Sequence, residues 1–80
     1  MKAVQITYYA HLRECAGVDR EIFHTAATTL AELYEELTGK YQFLLPVQHL
    51  RAAVNDRFVA LESSLADNDQ VAFIPPVAGG

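Results

Sequence analysis

Between Lys2 and Tyr9 the side chains alternate, with Val4, Ile6 and Tyr8 on one face and Ala3, Gln5, Thr7 and Tyr9 on the other. A period of two in a stretch rich in β-formers predicts a strand with one face in the core. Ala10 to Ala16 has no β-branched residue and is followed by Gly17, which predicts a short helical turn closed by a left-handed glycine. Asp19 to Thr25, containing Ile22 and Phe23, reads as a second strand.

The period then changes. Leu30, Leu33, Tyr34, Leu37 and Tyr41 follow the three-and-four spacing of one helical face, with Glu32, Glu35, Glu36 and Lys40 directed elsewhere. Thr29-Leu-Ala-Glu32 has capping-box spacing: the Thr29 hydroxyl can satisfy the Glu32 amide while the Glu32 carboxylate reaches back. Gly39 is expected to end or fray this helix. Gln42 to Leu50, with Pro46 among apolar residues, reads as a packed loop. Three short strands complete the pattern, at Arg51 to Asn55, Phe58 to Leu61 and Gln70 to Ile74, separated by turns at Asn55-Asp56-Arg57 and Asp67-Asn68-Asp69. The expected fold class is α+β, a mixed sheet with one main helix over one face.

Apolar residues make up 51% of the 80 and charged residues 20%, enough apolar surface for a globular domain. A domain of this size buries a modest fraction of its surface, so a partner is expected to contribute to its working stability. The formal charge is −4, from ten acidic and six basic residues. Without a Lys or Arg cluster, nucleic acid and membrane surfaces are excluded as expected partners. Cys15 stands alone, and the N-terminus has no signal-like apolar run; a reducing cytoplasm is the expected location.

Few residue groups suggest chemistry of their own. His11 and Cys15 are four apart, but zinc needs three or four ligands, so no metal site is assigned. His24 and His49 are isolated, and neither a nucleophile triad nor a phosphate-binding glycine loop is visible. The glutamates of the long helix read as a solvated face helped by the helix dipole.

The sequence after the last strand is different. Pro75 and Pro76 remove two amide donors and favour an extended stem, and Val77, Ala78, Gly79 and Gly80 taper in size. Six extended residues reach roughly 20 Å, and the lack of Cβ at the tip allows close approach by another backbone. At ordinary glycine usage a chance pair here is about a 0.5% event. A carboxylate is a poor electrophile until it is converted to a mixed anhydride, and the Gly80 carboxylate is the candidate reactive group.

Val71-Ala-Phe-Ile-Pro-Pro-Val-Ala-Gly-Gly80, Tyr9-Ala-His-Leu-Arg-Glu14 followed by Gly17, and Ala53-Val-Asn55 occur in this order. Together they resemble the small-subunit family of molybdopterin synthase, the MoaD group of ubiquitin-like β-grasp sulfur carriers, across essentially the whole chain. Asn68 departs from the family's frequent Asp-Gly-Asp; Asn tolerates the left-handed conformation well enough to keep the turn.

The resemblance implies a β-grasp domain over residues 1–74 and an extended tail over 75–80. It implies adenylation of Gly80 by an E1-like enzyme using ATP and Mg, then conversion to a thiocarboxylate by a persulfide sulfur donor. The large synthase subunit would receive the tail in a heterotetramer and supply the catalytic residues, with sulfur passing to a pyranopterin precursor in molybdenum cofactor biosynthesis. This chain would be a non-catalytic carrier subunit with no bound cofactor. Phe58 and Ile74 match the family's apolar docking patch, and Arg13 is a candidate polar contact. A carrier for thiamine or tRNA thiolation, a ubiquitin-like modifier joined to lysines, and a non-covalent adaptor remain open alternatives.

Overall fold

The alternation in the first strand organises the sheet. In the computed structural model, which describes residues 1–76, β1 spans Lys2–Tyr8 with Val4, Ile6 and Tyr8 buried. It is followed by α1 (Ala10–Ala16), β2 (Arg20–Thr25), α2 (Leu30–Tyr41), a 3-10 turn (Val47–His49), β3 (Arg51–Val54), β4 (Arg57–Val59) and β5 (Gln70–Ile74). The sheet order is β2-β1-β5-β3-β4. β1 and β5 run parallel, and the other neighbouring pairs are antiparallel. A parallel central pair requires a long crossover, and α2 lies within it. This is the β-grasp arrangement expected above.

The core forms where the inward residues of the sheet meet the apolar stripe of α2. Ile6, Val71 and Phe73 face Leu30, Leu33, Tyr34 and Leu37, all buried, and Leu12 of α1 joins the same cluster. Gly17 closes α1 at φ 79°, its N–H donating to the Arg13 carbonyl, as the glycine's position predicts.

At the N-terminus of α2, Thr29 Oγ1 accepts from the Glu32 amide at 3.2 Å. The Glu32 carboxylate reaches back one residue further than a simple capping box requires, accepting from the Thr28 amide at 2.8 Å and its hydroxyl at 2.9 Å. Glu36 is more than a solvated helix residue: it accepts a 2.6 Å hydrogen bond from the hydroxyl of buried Thr25.

Gly39 does not end the helix. α2 continues to Tyr41 and closes at Gln42, whose φ is 60° and whose N–H donates to the Thr38 carbonyl at 2.7 Å. The extra turn brings the Tyr41 ring within 5.9 Å of Tyr8 and 5.7 Å of Phe43. Aromatic pairing of this kind, added to ring burial, offsets the roughly 1 kcal/mol cost of an interior glycine. The following loop contains the 3-10 turn, with Phe43 and Leu50 buried at either end.

The β3–β4 connection is a tight two-residue turn at Asn55 and Asp56, with φ of 52° and 70°, the conformation that matches strand twist in a hairpin. Its tightness pairs Val54 with Arg57, so β4 begins one residue before Phe58. The strand stops at Val59 because Leu61 has turned away, its carbonyl accepting from the Ala31 amide at 2.9 Å. Asn68 adopts φ 70°, the left-handed geometry its turn requires.

Two polar networks tie these elements together. Glu21, on the inward side of β2, accepts from the Tyr8 hydroxyl at 2.5 Å and the Tyr41 hydroxyl at 2.6 Å, and Lys40 lies 3.3 Å away. The carboxylate therefore links β1, β2 and the end of α2. Burial raises its pKa, but the hydrogen bonds from Tyr41, Tyr8 and Lys40 outweigh it and hold the group below the usual carboxylate range. Burial, then the bond to Glu21, raises the pKa of Tyr8 and of Tyr41 above the ordinary phenol value, keeping both hydroxyls protonated as donors. In the second network Asn55 Oδ1 accepts from the Gln70 amide at 3.1 Å and Asn55 Nδ2 donates to Asp69 at 3.2 Å. Asp69 also accepts from the Ala66 amide at 2.9 Å. These bonds fix the hairpin turn to the start of β5.

Glu21→Ala leaves the buried Tyr8 hydroxyl without its acceptor and is expected to cost about 2–3 kcal/mol in chemical denaturation. Because the folded-state pKa of Glu21 is depressed, its stabilisation is complete above the unfolded carboxylate value of about 4.3 and is lost as pH falls through the lower folded value. Glu21→Gln should flatten the acid limb of a stability-versus-pH curve in that window; an unchanged limb would exclude this role. Asn55→Ala, which loses two hydrogen bonds at positive φ, should cost about 1–3 kcal/mol. Asn55→Gly loses the same two hydrogen bonds but tolerates the positive φ, so it should cost less than Asn55→Ala, as urea midpoints would show.

Candidate functional site

β5 is the strand from which the tail departs, and it is held on both sides. Ile6, Thr7 and Tyr8 of β1 pair with Val71, Ala72 and Phe73, while Arg51 to Val54 of β3 pair with Ile74 to Val71 in the opposite direction. Val71 and Phe73 are buried inward, and Ala72 and Ile74 face outward. A central strand cannot shift register without exposing Val71 and Phe73, so the point at which Pro75 begins is fixed. Pro75 is half-buried and Pro76 exposed. Val77, Ala78, Gly79 and Gly80, the remaining expected tail residues, lie outside the described residues.

Among the described residues, no element covers the face of the sheet opposite α2. Phe58 pairs with Ala53, and Ala53 with Ala72, so strand alternation puts Phe58 and Ile74 on this same outer face. Phe58 is 67% exposed and Ile74 is half-buried. Ala53 and Ala72 keep the surface beside them low, and Arg51 of β3, the partner of Ile74, lies between Phe58 and Ile74. Ile22, also outward, is 68% exposed on β2.

Arg13 is on α1 rather than on this sheet face, and its guanidinium lies 3.7 Å from Asp19. Both side chains are well exposed, so the pair contributes little to stability. The structure brings together Phe58 and Ile74 and places Arg13 on a separate element.

Arg51 belongs to the same outer face although no motif singled it out. It pairs with Ile74 on the outer side of β3, and its guanidinium carbon is 6.0 Å from the Phe58 ring centroid. Its parity with Ala53 was the available signal, but a single arginine at the start of a short strand ordinarily reads as a solubilising charge.

His11 Nε2 lies 3.7 Å from Cys15 Sγ. Among the described residues, no group of three or more His, Cys, Asp or Glu side chains comes together as a metal site. No helix among them is long and apolar enough to cross a membrane.

Pro75 and Pro76 thus follow the central strand beside a sheet face that carries Phe58 and Ile74, and comparisons with known proteins identify relatives of the whole fold. The molybdopterin synthase sulfur carrier subunit of Mycobacterium tuberculosis is 37% identical over 83 residues, covering 100% of both chains. A solved Pyrococcus furiosus structure, described as a putative molybdopterin converting factor subunit 1, has a TM-score of 0.79 at 28% identity, covering 96% of this chain and 100% of that one. In Helicobacter pylori a protein–protein complex of subunits 1 and 2 of the molybdopterin-converting factor contains a chain similar at 25% identity and TM-score 0.66, with 98% and 99% covered. The profile described as the ThiS family matches residues 6–80. Over nearly its whole length the chain matches a known group of small proteins, and it belongs to the ThiS family, its similar relatives including sulfur carrier subunits of molybdopterin synthase.

Proposed function

We propose that this protein is the sulfur carrier subunit of a molybdopterin synthase, working through the Gly80 carboxylate. The observation that carries the reading is the fixed exit of the Pro75-Pro76 stem from the central strand, beside an open face bearing Phe58 and Ile74. A rigid origin reduces the orientations a partner must sort through, and the prolines reduce the entropy lost when the stem is bound.

The chemistry takes place in two stages. An E1-like partner transfers AMP from ATP, with Mg, to the Gly80 carboxylate, releasing pyrophosphate and leaving an acyl adenylate. A persulfide sulfur then attacks the acyl carbon and displaces AMP. A second thiol cleaves the resulting acyl disulfide, so the carrier leaves as a thiocarboxylate and the donor is oxidised to a disulfide. Sulfur bound this way is nucleophilic, and the slender Val77 to Gly80 tip suits delivery into a narrow site on the large subunit. There it would attack a pyranopterin precursor; a dithiolene needs two sulfurs and hence two loaded carriers. The pterin pocket and catalytic side chains belong to the large subunit, so this chain acts by positioning and carrying. The half-buried lone thiol Cys15 is compatible with operation in a reducing cytoplasm.

Protein isolated from its host in the absence of the large subunit should carry a sulfur-for-oxygen mass increase localised to the Gly80 peptide. Peptide mapping separates this change from oxidation of Met1 or Cys15. A variant with one alanine added after Gly80 should unfold at the same temperature as the unextended protein and carry no sulfur. Normal molybdopterin formation by that variant would overturn the mechanism, and Gly80-dependent conjugates of higher mass would redirect it to protein modification. Phe58→Asp should leave loading chemistry intact and weaken binding to the large subunit by roughly tenfold or more, as expected for a central aromatic contact.

A further inference from the structure

The charge of this protein is segregated by face. Ten acidic residues give a net charge of −4, yet no outward-facing strand position carries a carboxylate. The strand registers place Arg20 and Arg51 outward, and Glu21, the one acidic residue within a strand, inward beneath the sheet. Asp56 in the β3–β4 turn borders the face. The sheet surface therefore mixes neutral side chains with two arginines and bears no strand carboxylate, on an otherwise anionic molecule.

The two arginines differ in their surroundings. Arg20 pairs with Thr7 on the outer edge strand β2, away from the tail. Arg51 is the register partner of Ile74, one residue before the stem, with its guanidinium at 6.0 Å from the exposed Phe58 ring. Among the described residues it has no ion pair and no side-chain hydrogen bond. A guanidinium near a ring face is partly preorganised and keeps donors able to grip a carboxylate in two-point fashion.

We propose that Arg51 is the specificity-determining residue of the docking face, selecting a partner whose contact surface presents a carboxylate beside an apolar patch. The inference rests on the reading above in which this face docks on the large subunit, and it specifies the chemistry of that surface. Phe58 and Ile74 supply apolar contact, and Arg51 supplies sign: a partner with a basic or purely apolar surface leaves the guanidinium desolvated and unpaired. Since Arg51 is at the root of the stem, the same contact aligns the tail with its entry point.

The test measures binding of the full-length carrier to the purified large subunit at low and high salt, with thermal unfolding to verify each variant's fold. Arg51→Glu should raise Kd by roughly tenfold or more. Arg51→Leu, which keeps apolar contact without charge, should fall between and lose most of the salt dependence. Arg20→Glu makes the same change in net charge on the same face and should have a much smaller effect. Wild-type binding by Arg51→Glu, or an equal loss in Arg20→Glu, overturns the assignment, the latter by reducing it to a general field. Phe58→Asp separates the two readings: if it abolishes binding while Arg51→Glu does not, only the role of Arg51 is lost. If Phe58→Asp also binds normally, the docking face itself is wrong.

Discussion

The constraint on which this structure depends is the central position of its last strand. β5 lies between β1 and β3, parallel to one and antiparallel to the other, so the sheet is incomplete until residues far apart in sequence have met. Val71 and Phe73 then close the core against α2. The arrangement places the best-held strand directly beside the stem: a segment locked by two neighbours passes at once into two prolines that cannot extend the ladder. A carrier needs this abrupt change, because a tail with a wandering origin would have to be re-aimed at each partner.

Around that strand, polar groups settle what apolar packing leaves open. A hydrophobic contact tolerates sliding, whereas a carboxylate receiving two tyrosine hydroxyls does not. Glu21 fixes the edge of β2 against the last turn of α2, and Asn55 with Asp69 fixes the β3–β4 turn against the first residues of β5. One network secures the crossover helix and the other secures register at the start of the final strand. Neither network includes Pro75 or Pro76; each ties together elements around the central strand.

The sequence disclosed the periodic features most readily. Val4, Ile6 and Tyr8 declared the buried face of β1, and Leu30 to Leu37 declared the stripe of α2, because burial imposes a period that composition alone preserves. The extent of α2 was harder to read. Gly39 has low intrinsic propensity, and only the later arrival of Tyr41 against Tyr8 and Phe43 makes the additional turn favourable. Glu36 likewise looked like surface until Thr25, eleven residues earlier, reached it across the crossover. In the candidate site, Phe58 and Ile74 were recognisable through family pattern and strand parity. Arg51 was not, since its significance comes from two neighbours, one in β4 and one in β5, that only sheet assembly brings beside it.

The two faces of the sheet therefore solve opposite problems with the same alternation. Inward residues must be large and apolar because they close a small core, and a core of this size has little stability to spare. Outward residues must avoid self-association while remaining able to bind. Ala53 and Ala72 keep the surface low, Phe58 and Ile74 provide limited apolar area, and the outward arginines place like charges on this face of each copy. Two copies meeting face to face would bring those charges together, whereas a partner of opposite sign gains from them. The charge pattern that favours the right partner is thus also what disfavours pairing with self, and it requires only that carboxylates be kept to the helices, the loops and the inner side of β2.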